Sequence, residues 1–167
     1  MQFDGLQDAI PLAPAIVEYG ERKLIGLGMR MSLSADRTVE LFRTFGPRRR
    51  EIVNIALPDT FCVKLLGSDA FRSMTAFTEF KKYAAVEVSE LTGQPSDLDE
   101  ITIHAGLHAV FIQKGMAGYA DSMKMFFDEW LPSSGYEADD RPQFEILPPD
   151  YRETQIEQVW IPIRSSR

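Results

Sequence analysis

The alternation of apolar and polar positions sets the first expectations. Ala15-Ile-Val-Glu-Tyr19 reads as a short strand that Gly20 ends. Arg22 to Ser32 reads as a second strand, and Gly26 and Gly28 inside it predict a bulge or a close backbone approach. Ser34-Ala-Asp-Arg-Thr-Val39 opens a helix, with Ser34 or Asp36 as N-cap. Val39, Leu41, Phe42 and Phe45 supply its apolar positions, and Pro47 predicts a kink or a new turn. Helical character resumes to about Asn54. Phe61 to Leu66 is a third strand, followed by a loop over 67–70. Met74 to Ser89 reads as one long extended segment. Tyr83, Ala85 and Glu87 share one of its faces, and Phe80, Lys82, Ala84, Val86 and Val88 the other.

Leu91-Thr-Gly-Gln-Pro-Ser-Asp97 is turn-rich and marks a mid-chain boundary. After it the order recurs. Ile101 to Gln113 is a strand broken at Ala105-Gly106, Gly115 to Trp130 contains a helix, and strands follow over 142–147 and 153–163. A strand-helix-strand-strand unit thus appears twice. The expected class is α+β, with two pseudo-symmetric units in one domain spanning 1–167. Unit one covers about 15–90 and unit two about 100–164.

The second unit carries the candidate chemistry. Pro132 and Gly135 are expected to break its helix after Trp130. In the strand that follows, Phe144 and Ile146 face one way and are expected to pack under the helices. Glu145 faces the other way. In the last strand Val159, Ile161 and Ile163 share the core face, which leaves Trp160 as a cleft wall. Tyr83 and Glu87 are the corresponding cleft candidates of unit one. Trp130, Met116, Met123 and Met125 read as core. On alternation alone, Glu145 is most simply a solvated strand glutamate.

The order of several motifs changes that reading. Trp130-Leu-Pro132, Ser134-Gly-Tyr136 and Pro142 with Phe144-Glu-Ile146 resemble the signature of the GyrI-like effector-binding domains. The resemblance extends to Ala105-Gly-Leu-His-Ala-Val-Phe111 and to Trp160-Ile-Pro-Ile163, and covers the chain from about Ala15 onward. It implies two such units with antiparallel sheets, helices on one side and a central ligand cleft in front. It also implies that Glu145 is the ligand-facing carboxylate. Trp160, Tyr83, Glu87, Phe111 and His108 are the further ligand-binding candidates. His108 departs from the family, where a tyrosine is common. The implied function is binding of a small lipophilic molecule, cationic or aromatic, by a bacterial sensor or sequestering protein linked to transcription regulation. A carboxylate supplies charge to such a cation, and each ring face about 0.5–2 kcal/mol.

Two other classes remain open under the same resemblance. Some members hydrolyse strained or electrophilic compounds, for which Glu145 with Glu87 or Tyr83 would serve as acid and base. Another is a gyrase inhibitor, which would make this a protein-interaction module. About a dozen residues precede the first strand, too few for a helix-turn-helix, so a freestanding module is expected.

Composition narrows the partners. Eighteen basic against 25 acidic residues give −7, and no face is basic. Direct binding to duplex DNA at physiological salt is therefore not expected. Arg48-Arg-Arg50 reads as a solvated helix end. No apolar run is long enough to span a membrane, and no leader pattern opens the chain. The single cysteine, Cys62, reads as buried and inert, which fits a reducing, cytoplasmic setting. His104 and His108 lack a third ligand, so neither a metal nor a cofactor is expected.

Overall fold

The computed structural model describes residues 13–66, 73–115 and 118–166. The loop expected at 67–70 and Met116 lie outside them. The first half contains β1 (Ala15–Tyr19), β2 (Arg22–Met31), α1 (Thr38–Arg48), β3 (Thr60–Leu65) and β4 (Phe80–Glu87). The second contains β5 (Asp99–Ile103), β6 (Gly106–Lys114), α2 (Tyr119–Lys124), α3 (Leu131–Ser134), β7 (Tyr136–Ala138), β8 (Gln143–Leu147), α4 (Tyr151–Thr154) and β9 (Ile156–Ser165). A π-helical turn, Met125–Trp130, joins α2 to α3.

The strands pair antiparallel in the order β1-β6-β9-β8-β3-β4-β2-β5, with β7 against β9. This order is symmetric about the β8–β3 pair. Each half has the same inner trio, β8-β9-β6 or β3-β4-β2. The outer strands are exchanged, since β1 of the first unit pairs with β6, and β5 of the second pairs with β2. The break at Ala105-Gly106 is where the chain leaves one half and enters the other. The two units interlock, and neither half of the sheet is built from one unit alone.

Local rules explain most elements. A Cβ on Gly28 would lie 2.5 Å from the Tyr83 ring, and one on Gly26 would meet the Ala84 carbonyl. Both glycines therefore serve the close approach expected of them. Helix α1 starts later than expected, with Arg37 at the N-cap and no side-chain cap. Asp36 instead accepts from the Thr38 N–H at 2.9 Å. Its buried residues are Leu41 and Phe45, whereas Val39 is exposed. Pro47 sits inside the last turn, and a 3-10 turn over Arg49–Glu51 follows directly. The arginine cluster is partly structural. Arg48 reaches Asp97 at 2.8 Å, and Arg49 donates to Thr60 at 2.7 Å. The long extended segment is shorter than expected, because only Phe80–Glu87 pairs as strand.

Pro132 does not end the second helix. The preceding turn widens, so the Leu131 N–H reaches back to the Phe126 carbonyl. Pro132 then falls in the first turn of α3, where its missing N–H costs least. Gly135, at φ 82°, stops the helix in the left-handed conformation.

Both helices lie on one face of the curled sheet. Leu41 and Phe45 of α1 pack on Ile25, Met31, Phe80, Ala84 and Val86. Met123, Phe126 and Leu131 pack on Ala109, Phe111, Val159, Ile161 and Ile163. The opposite face holds a third cluster, from Leu24, Phe61, Tyr83, Ile103, Val110, Phe144 and Trp160, with no helix of the described residues over it.

Candidate functional site

The register of β8 and β9 decides which candidates can meet. Phe144 pairs with Trp160, and Glu145 with Val159. Phe144 and Trp160 therefore share the face without helices, and Glu145 shares the helix face with Val159. This reverses the expected orientation of β8, since Phe144 and Ile146 do not pack under the helices. It also divides the candidate set. Trp160, Tyr83, Glu87 and His108 lie on one face of the sheet, Glu145 and Phe111 on the other.

The face without helices is filled rather than open. The Phe144 and Trp160 rings stack at 5.4 Å, Tyr19 lies 4.6 Å from Trp160, and Phe61 lies 5.8 Å from Phe144. His108 is fully buried among them, 5.4 Å from Phe144 and 5.7 Å from Trp160. Its Nδ1 bonds the Gly106 carbonyl at 3.1 Å, which makes Nδ1–H the donor. Burial, helped by the Arg141 charge, pulls the imidazole down to about 4. It is neutral at physiological pH, and Nε2 has no partner among the described residues. Glu87 lies at the rim of this face. Arg22 Nε sits 3.0 Å from it, with its guanidinium 4.4 Å above the Tyr19 ring.

The helix face is different at its centre. Helix α1 packs on β2 and β4, and α2 on β6. The strip between them exposes β3 and β8 to one another's polar side chains. Here Lys64 Nζ donates to Glu145 Oε1 at 2.9 Å and to the Tyr119 hydroxyl at 2.6 Å. It also lies 4.2 Å from the centre of the Tyr119 ring. Lys64 is 9% exposed. Burial alone would lower its pKa, but Glu145 and Tyr119 outweigh that and hold it above the usual lysine range. Glu157 on β9 is 5% exposed and accepts from Gln113 Nε2 at 2.9 Å. Burial first, and the Glu145 carboxylate second, push it up to about 8, so it carries a proton at neutral pH. Cys62, directly opposite Glu145, is pushed up to about 12 by burial and is an inert thiol. Tyr151 on α4 adjoins the same group, raised to about 12 by burial and by Glu157 and Glu145. Lys82, beside Lys64 in register, turns to the Thr38 hydroxyl at 2.7 Å.

Seven residues from six elements thus gather on this strip: Cys62, Lys64, Tyr119, Glu145, Tyr151, Glu157 and Gln113. Of these only Glu145 was singled out from sequence as a site residue. Glu87 and Tyr83 are on the far side of the sheet, so neither can act with Glu145 on one molecule. Phe111 stacks on Phe126 at 5.8 Å. It lines a pocket of about 280 Å³ with Met125, Phe126, Glu129 and Trp130, beside α2 rather than on the strip. His104 is exposed in the bend between β5 and β6, apart from His108. No described helix is long and apolar enough to cross a membrane.

A pseudo-symmetric antiparallel sheet, helices on one face and buried charge between them define an α+β domain built around a central polar strip. The chain belongs to the family of GyrI-like small molecule binding domains, which it matches over residues 13–164. Solved structures share the fold. SAV2435 bound to tetraphenylphosphonium aligns at 13% identity and TM-score 0.62, covering 92% of this chain and 94% of its own. The EcmrR C-terminal domain aligns at 14% identity and TM-score 0.64, covering 93% and 99%. A hydrolase from Listeria innocua aligns at 9% identity and TM-score 0.60, covering 94% of each. No curated protein matches the chain by sequence.

Proposed function

We propose that this domain is a sensor or sequestering module that binds a small lipophilic molecule, aromatic or cationic, over the strip between α1 and α2. The observation that carries this reading is the grouping of Glu145 and Glu157 beside the Tyr119 and Tyr151 rings. Buried charge and aromatic surface placed together, away from the sealed apolar face, suit an amphipathic ligand. The domain family supports it, and so does the phosphonium cation held by SAV2435 on the same fold. Occupancy of the strip would be passed to a protein partner in transcription regulation, or would simply withdraw the ligand.

The test is a fluorescence titration with aromatic dyes on wild type, Tyr119→Ala and Tyr83→Ala. Truncating Tyr119 removes ring and hydroxyl from the strip and should weaken binding by about 1–3 kcal/mol. Truncating Tyr83, on the opposite face, should leave the affinity of folded protein unchanged. The reverse pattern would place the ligand on the other face and sink the reading.

Glu157 favours a second reading. A protonated carboxyl beside a carboxylate is the pairing that acid–base hydrolysis needs. Glu157 would donate the proton and Glu145 would activate water. Glu145 Oε1 is already taken by the Lys64 ammonium at 2.9 Å rather than left to hold a water, which is why binding is preferred. Turnover of a small electrophile that survives Glu157→Gln unchanged would remove this alternative.

A further inference from the structure

We infer that Lys64 is the resident cation of the strip, and that it turns the site away from permanently charged ligands toward neutral aromatic molecules bearing a hydrogen-bond acceptor. The inference rests on the binding reading above and specifies its ligand class.

The geometry carries it. A site for an organic cation needs a carboxylate, a ring face and a partly desolvated floor. All three are present, and Lys64 already uses them: Glu145 at 2.9 Å, the Tyr119 ring at 4.2 Å, and a position 9% exposed. The Tyr119 hydroxyl at 2.6 Å takes a further ammonium proton. The side chain is held there by β3, whose register puts Lys64 opposite Gln143 on one side and Lys82 on the other. A second cation would therefore enter a strip that already holds two ammonium groups. Glu145 is committed to Lys64, and Glu157 holds its proton. To reach Glu145 the ligand would have to displace Lys64 and leave a buried ammonium beside Lys82, which is costly unless it is paired again. A neutral aromatic meets no such conflict. It can lie on the Tyr119 and Tyr151 rings, and an acceptor oxygen can take the third donor of the Lys64 ammonium, which has three hydrogens and two bonded partners among the described residues.

The experiment compares two molecules of similar size. Tetraphenylphosphonium is a permanent cation, and triphenylphosphine oxide is neutral with one strong acceptor. Each is titrated calorimetrically into wild type, Lys64→Met and Lys64→Met/Glu145→Gln. Methionine keeps the length of the stem and removes the charge. Wild type should bind the oxide about tenfold or more tighter than the phosphonium, a preference read without any variant. Lys64→Met should gain about tenfold or more for the phosphonium and weaken for the oxide, and the double variant should lose that gain. A phosphonium affinity equal in wild type and Lys64→Met, or a wild type that prefers the phosphonium, overturns the role of Lys64 while leaving small-molecule binding intact. Absence of binding by either compound to any of the three folded proteins overturns the binding reading itself. Circular dichroism and melting temperature establish that each variant is folded. Should Lys64→Met fail to fold, Lys64→Gln replaces it, with the same gain and loss expected.

Discussion

The two faces of β8 differ by one residue in the chain and by almost everything in their surroundings. Phe144 and Ile146 point into a face where rings meet rings and the side chains close over one another. Glu145 points to a strip where it meets buried Lys64 and Glu157, with the Tyr119 hydroxyl bonded to Lys64 and Tyr151 within electrostatic reach. The first arrangement is what close packing favours, since apolar contacts are individually weak and summed over many atoms. The second is what a stability-driven core avoids, because a buried charge costs more than its pairing often returns. A fold whose described residues form nine strands, with ample apolar side chains, had no need to place Lys64, Glu145 and Glu157 at the centre of its helix face. The contrast is what supports the proposal that ligand binds on the Glu145 side, with the aromatic side as the frame that holds its strands in register.

The comparison breaks most simply at Phe144. Its ring is 1% exposed and touches Tyr19, Phe61, His108 and Trp160. Phe144→Ala should destabilise the domain by about 3–5 kcal/mol, measured by urea denaturation. Dye affinity of the folded fraction should change little. A large affinity loss with stability intact would mean that the aromatic face is the binding face after all.

The next largest effect is expected at His108. Its folded pKa, about 4, lies below the ordinary value of 6.5. The unfolded chain therefore takes up the proton first as pH falls. The contribution of neutral His108 is complete above about pH 6.5 and is lost between there and pH 4. At about 1.4 kcal/mol for each pH unit, the full loss approaches 3 kcal/mol. His108→Asn keeps an N–H for the Gly106 carbonyl and removes the titration. The difference in unfolding free energy between wild type and variant should shrink by about that amount from pH 6.5 to 4. A constant difference would mean that the imidazole charges freely in the folded state.

How much of this was legible in the chain differs between the fold and the site. Period-two alternation and the recurring element order gave most of the strands and the duplication, and the resemblance to the family implied the antiparallel sheets. The exchange of β1 and β5 was not visible, because strand pairing is non-local and only the break at Gly106 hinted at it. Alternation also shows that a strand has two faces without saying which face the helices cover. That is why Glu145 and Trp160 were placed together, although the pairs Phe144–Trp160 and Glu145–Val159 separate them. Two signals of the strip were present. Lys64 is a charge inside the apolar run Phe61-Cys-Val-Lys-Leu-Leu66, and Glu157 has the same parity as Val159 and Ile161. Charges at core parity in central strands are rare enough to mark a site. Their partners on α2 and α4 come from packing that no local pattern encodes.

The smallest expected effect separates the two carboxylates of the strip. Glu157 is raised to about 8, chiefly by burial and then by Glu145. The ordinary glutamate value is 4.5. Between those values the folded state keeps a proton that the unfolded chain has released. Stability from this group is therefore fully present below about pH 4.5 and declines as pH rises toward 8. This is opposite in sign to His108, and the two oppose one another between pH 4.5 and 6.5. Above pH 6.5 only the glutamate slope should remain, which makes pH 6.5 to 8 the clean window. Over that interval the wild type should lose about 2 kcal/mol relative to Glu157→Gln. The amide is neutral at every pH, can still accept from Gln113, and can donate to Glu145 as the protonated acid does. Parallel curves of unfolding free energy for the two proteins across this window would mean that Glu157 is ionised in the folded state. The strip would then carry two full negative charges beside Lys64, and the preference for neutral ligands would have to give way to one for cations.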